Sequence, residues 1–81
     1  MKREDIEKKV IEIAEDMFKK EVSGDFETLN LIEYLDLISI DVLEYLLSIE
    51  SSFDFEFGDE ALGEDTLQSG KILLDTIEQY I

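Results

Sequence analysis

From Arg3 to Lys20 the apolar residues Ile6, Val10, Ile13 and Met17 recur at steps of four, three and four, and Ala14 and Phe18 widen the stripe. Charged side chains fill most of the remaining positions. The spacing predicts a first helix with one buried face over this span. Ser23-Gly24-Asp25 signals its end. Beyond it Phe26, Leu29, Leu31, Ile32 and Leu35 arrive without clean periodicity, so Val22 to Ile38 reads as a long, packed connection with one helical turn. A connection of that length in so short a chain is functional or anchored by its own apolar side chains.

The pattern places a second helix at about Ser39 to Ser52, and that helix carries two apolar stripes. Val42, Tyr45, Leu46, Ile49 and Phe53 form one, suited to a core. Ile40, Leu43 and Leu47 form the other at spacing three and four, flanked by Asp41, Glu44 and Glu50. Two readings of the second stripe stay open. A helix buried nearly all round is what the pattern alone favours, whereas the bordering acids favour a docking face. Phe53-Asp54-Phe55-Glu56-Phe57 alternates like a strand, but no other segment offers a partner and a lone strand is not stable. It is expected to be an extended connector that pins its phenylalanines into the core. Gly58 ends it, Asp59 to Leu62 is expected to form a short helical turn, and Gly63-Glu64-Asp65 a loop. A last helix then carries Ile72, Leu73, Leu74, Ile77, Tyr80 and Ile81, capped by Thr66 or Ser69, with Gly70 favouring Ser69.

Composition narrows the chemistry. The 81 residues make one small domain, spanning 1–81, with room for a core but not for a large internal active site. Neither cysteine nor histidine occurs. Disulfides, thiol nucleophiles, the usual general base and the commonest transition-metal ligands are therefore missing, which argues against an enzyme. The net charge is -15, and residues 1 to 20 contribute nothing to it because six bases balance six acids there. After Lys20 a single base, Lys71, faces sixteen acids. Such a surface repels nucleic acid, disfavours self-association and suits partners with basic patches. No apolar run resembles a signal-peptide core or a membrane span, so a soluble, cytoplasmic, monomeric protein without membrane or nucleic-acid partners is the expectation. The acids of Asp54 to Glu60 lack the ligand spacing of a calcium loop and read as solvated surface.

Ser39 is the one hydroxyl with a distinctive setting, between Leu35-Asp36-Leu37-Ile38 and the start of the second helix. A helix N-terminus leaves N–H groups unpaired and carries partial positive charge, so an anion attached to a serine there would be held. On generic grounds a serine at this place is a cap. A capping box counted from Ser39 would require Glu or Gln at position 42, which is Val42.

The run Glu33-Tyr34-Leu35-Asp36-Leu37-Ile38-Ser39-Ile40-Asp41-Val42-Leu43-Glu44-Tyr45-Leu46-Leu47-Ser48-Ile49-Glu50-Ser51-Ser52-Phe53-Asp54-Phe55-Glu56-Phe57 resembles the acyl carrier proteins and the related peptidyl and aminoacyl carrier domains. It follows their E-D-L-G-x-D-S-L-D-x-V-E-L-x-x-x-[LI]-E-x-x-F pattern without a gap. The resemblance implies an all-α, four-helix bundle of acyl carrier type with a long first loop and a short third helix. It implies that Ser39 carries a phosphopantetheine arm derived from coenzyme A, attached by a phosphopantetheinyl transferase, on which an acyl or aminoacyl group is held as a thioester. Ile40, Leu43 and Leu47 fall on apolar docking positions of the family, and Asp41, Glu44 and Glu50 on its acidic ones. Their expected partners are loading and processing enzymes of fatty acid, polyketide or peptide biosynthesis. The chain departs from the pattern where Ile38 replaces Asp, where Asp36 replaces Gly, and at Ser51 and Ser52, and its segment from Asp59 onward is longer. These departures point to a specialised carrier of a dedicated pathway.

Overall fold

A computed structural model describes all residues from Met1 to Ile81. Four α-helices and three 3-10 turns, with no strand, fold around one core: α1 is Arg3–Phe18, α2 Leu31–Leu35, α3 Ser39–Phe53 and α4 Gly70–Tyr80. The all-α expectation is met.

Ile6, Val10 and Ala14, one turn apart, are the fully covered residues of α1. The helix stops one turn's fraction earlier than its charge pattern suggests, because Lys19 takes the left-handed conformation (φ 56°) and its N–H closes onto the Glu15 carbonyl. α1 packs against both α3 and α4. From α3 come Val42, Tyr45, Leu46 and Ile49; from α4 come Leu73, Leu74 and Ile77. Inside this layer the Tyr45 hydroxyl donates to the Val10 carbonyl at 2.8 Å. The edge of the Phe18 ring meets Tyr45 at 5.8 Å between centroids. α1 and α3 are thereby joined by a polar bond within an apolar contact.

The connection from Val22 to Ile38 is packed, as expected, but contains two short elements. Phe26–Thr28 forms a 3-10 turn capped by Asp25, and Leu31–Leu35 forms α2, whose Asn30 cap accepts the Glu33 N–H at 3.1 Å. Phe26, Leu31 and Leu35 are buried. Tyr34 fastens the front of the connection: its hydroxyl donates to the Glu21 carbonyl and accepts from the Ser23 N–H, and the bonding from Ser23 lowers its pKa.

A correction concerns the short helix. Asp59–Ala61 and Glu64–Leu67 are 3-10 turns, so the short α-helix of the chain precedes α3 and none lies between α3 and α4. Thr66 does not cap the last helix. Its hydroxyl is buried and donates to the Ala61 carbonyl, linking the two turns. Ser69 is the cap, accepting the Ile72 N–H at 3.1 Å. Gly70 sits so close to the Phe26–Thr28 turn that a Cβ on it would lie 2.1 Å from the Phe26 carbonyl oxygen. Its N–H donates to the Leu29 carbonyl there.

Of the connector phenylalanines only Phe57 is fully buried; Phe53 and Phe55 are half-buried. Phe55 stacks on Tyr80 and Phe57 meets the same ring edge-on. The Tyr80 hydroxyl accepts the Gly58 N–H, which fixes the connector to the end of α4. On the opposite side, Arg3 pairs with Glu27, Asp75 and Glu78 and so joins α1, the first 3-10 turn and α4. Glu27 first, then the other two carboxylates, hold its guanidinium firmly charged. Lys71 and then Arg3 hold the Asp75 carboxyl below the ordinary carboxylate range.

Candidate functional site

The tip of α3 is built by a short, tightly specified lead-in. α2 ends where Asp36 adopts the left-handed conformation (φ 55°, ψ 52°), its N–H closing back onto α2. Leu37 then drops into the core while its N–H donates to the Ile32 carbonyl at 2.9 Å. With Leu37 anchored, Ile38, Ser39 and Ile40 lie on the surface. In the acyl carrier pattern the position of Asp36 is glycine, and the observed backbone is the one glycine adopts most readily. Asp is among the few other residues that tolerate it.

Ser39 is the first helical residue, not the cap. The cap is Ile38, in extended conformation. The third helical position is consequently Asp41, not Val42, and the Asp41 carboxylate accepts the Ile38 N–H at 3.1 Å. Isoleucine has no oxygen with which to complete a reciprocal capping box. The hydroxyl of Ser39 is exposed and serves no cap. Val42 is the first residue of the helix to donate to the preceding chain, onto the Ile38 carbonyl. The N–H groups of Ser39, Ile40 and Asp41 point out of the helix end in the manner expected of its first turn. A phosphodiester on Ser39 would meet those donors and the positive end of the helix dipole, so the residues present fit an attached phosphate. The Asp41 carboxylate opposes that fit in part.

Ile40, Leu43 and Leu47 are exposed by 61%, 42% and 43%. The reading of α3 as buried nearly all round is therefore corrected: only the stripe of Val42, Tyr45, Leu46 and Ile49 enters the core. Glu44 is exposed beside the second stripe, and Asp41 is half-buried at its start. Glu50 stands apart. Its carboxylate is turned toward the connector, where it accepts the Phe57 N–H at 2.6 Å. The structure thus gathers Ser39, Ile40, Asp41, Leu43, Glu44 and Leu47 on and around one end and one face of α3, with Glu50 engaged in holding the segment after it.

One residue of this surface was not among those singled out as contact residues. Ile38 is exposed by 65%, more than any of the three stripe residues, and directly precedes the serine. Isoleucine is among the poorest N-cap residues, about 1 kcal/mol worse than Ser, Asp, Asn or Thr. Two surface depressions occur elsewhere, one lined by Glu50, Ser51, Asp54, Phe55 and Glu56 and one by Lys2, Arg3, Glu4, Glu7 and Glu27; none of these residues belongs to the core. No group of acids is arranged to hold a metal ion, and no helix is long and apolar enough to cross a membrane. Comparison with protein-family models, with curated proteins and with solved structures finds no match.

Proposed function

We propose that this protein is a carrier whose Ser39 receives phosphopantetheine and which presents the attached intermediate to successive enzymes. The observation that carries the reading is an exposed serine hydroxyl, free of any capping role, on the first residue of the central helix. In the attachment step the Ser39 Oγ forms a bond to the phosphorus next to pantetheine in coenzyme A. The pyrophosphate P–O bond breaks, adenosine 3′,5′-bisphosphate leaves, and the serine proton passes to a base of the transferase. When bound, the arm supplies a thiol that holds an acyl or aminoacyl group as a thioester. The chain's own residues contribute placement. The first-turn N–H groups of α3 favour the phosphodiester, and the rigid lead-in through Asp36 and Leu37 fixes where the arm begins. Tethering then raises the local concentration of cargo at the partner enzyme without any catalytic group here.

A second reading has its own observation, the exposed stripe of Ile40, Leu43 and Leu47 beside Glu44. On it the protein is never modified and binds a basic, amphipathic partner surface through α3. Incubation with coenzyme A and a panel of phosphopantetheinyl transferases, followed by intact mass, separates the two. A gain of one arm by the parent but not by Ser39→Ala supports the carrier; no gain with any transferase favours the interaction module.

A further inference from the structure

Ile38 has no structural reason to be where it is. It occupies the N-cap of the central helix, where an oxygen-bearing side chain would stabilise the fold, and it leaves 65% of its surface in water. Ile40, on the other side of Ser39, is exposed by 61%. The serine thus sits between two apolar side chains on a chain of net charge -15. Both are immediate chain neighbours of Ser39 and both lie on the surface, so an enzyme that docks on the serine meets them. A second copy of this chain is a poor occupant, because it would bring the same negative charge. An apolar recess with cationic groups around it matches both the isoleucines and the acids nearby.

On the carrier reading given above, we propose that Ile38 is a specificity-determining residue for the enzyme that modifies Ser39: that enzyme seats Ile38 and Ile40 in an apolar recess ringed by cations. The side chain is then retained at the expense of the helix cap because the partner reads it. Recognition acts on docking, so its loss appears in the KM for the protein, while the transfer step at the serine keeps its rate.

The test uses the full chain as parent, Ile38→Asn and Ile38→Val, with coenzyme A and each transferase of a panel, following mass gain with time. Asparagine restores a good cap and removes the apolar group; valine keeps the apolar group. For each transferase that modifies the parent, Ile38→Asn is expected to raise KM about tenfold or more with kcat little changed, a size set by withholding one aliphatic side chain from burial. Ile38→Val is expected to stay within about threefold of the parent, and the Tm of Ile38→Asn to equal or exceed the parent's. A purely structural role for Ile38 would move stability and modification together. Modification of Ile38→Asn at the parental rate, its modification where the parent stays unmodified, or a lowered Tm would overturn the inference and leave the carrier reading standing. No mass gain in any of the three proteins would remove the carrier reading, and this inference with it.

Discussion

The Asp41 carboxylate accepts the backbone N–H of Ile38 at 3.1 Å, reaching back over Ser39 from the first turn of α3. It is half of a capping box whose other half isoleucine cannot supply. Asp41→Ala should therefore lower stability by about 0.5 to 1 kcal/mol, through the lost bond and the lost charge at a helix N-terminus. Asp41→Asn keeps an acceptor and should lose less. Urea denaturation measures both, and equal losses would show that the bond contributes nothing.

Asp36 holds a left-handed backbone at the C-terminal end of α2, where a negative charge also opposes the helix dipole. Asp36→Gly should raise stability by about 0.5 kcal/mol, since the relief of backbone strain and charge outweighs the extra freedom glycine gives the unfolded chain. Asp36→Val, a β-branched residue in the same conformation, should lower it. The rank order Gly, Asp, Val in thermal midpoint is the measurement, and any other order refutes the account.

Gly70→Ala sets two effects against each other. Alanine favours a helix by about 1 kcal/mol, but its methyl group would lie 2.1 Å from a backbone oxygen and 2.6 Å from the Phe26 ring. Backbone does not yield as a flexible side chain does, so a net loss of about 1 to 3 kcal/mol is expected. A variant as stable as the parent in denaturant would mean that α4 and the Phe26–Thr28 turn can separate freely.

Tyr45 is fully buried, and burial pushes its hydroxyl pKa well up. The folded state thus holds this proton more tightly than the unfolded chain. Its contribution is complete below the unfolded value of about 10 and is lost as pH rises beyond it. Tyr45→Phe keeps the ring contact with Phe18 and removes the bond to the Val10 carbonyl. The cost at neutral pH should be about 1 kcal/mol, and it should shrink as pH climbs past 10. Denaturation at several alkaline pH values decides; a cost that stays constant would rule out titration of Tyr45 as the source.

The long elements were legible because each has room to repeat its period. α1 shows two buried turns in its spacing, and α3 carries enough apolar positions to display both stripes and to begin at Ser39 as read. The stretches between them were not. Phe26, Leu31 and Leu35 are core residues, but they belong to a three-residue turn and a five-residue helix, each too short for a period to appear. The same holds for Glu64–Leu67, which falls where a loop was expected, whereas the helical turn at Asp59–Ala61 was anticipated from its position after Gly58. At the site, the apolar and acidic residues of α3 could be named from sequence, whereas two facts could not. Whether Ile40, Leu43 and Leu47 face water depends on what packs against the helix. That Glu50 serves the Phe57 N–H depends on a connector folding back seven residues later. The cap was displaced by one position because serine is the better cap by chemistry, and only the backbone reveals that isoleucine holds the place.

Ile38, Ile40, Leu43 and Leu47 leave the free molecule with a greasy strip exposed on a chain of net charge -15. That charge opposes the approach of a second copy, and it is also what a cationic partner would neutralise on contact. Colloidal solubility and readiness to associate are thus governed by one variable, the unscreened negative charge. Acidification toward the isoelectric point near 4.1, or concentrated salt, removes the barrier while the strip stays uncovered. The protein is best handled in dilute buffer above neutrality.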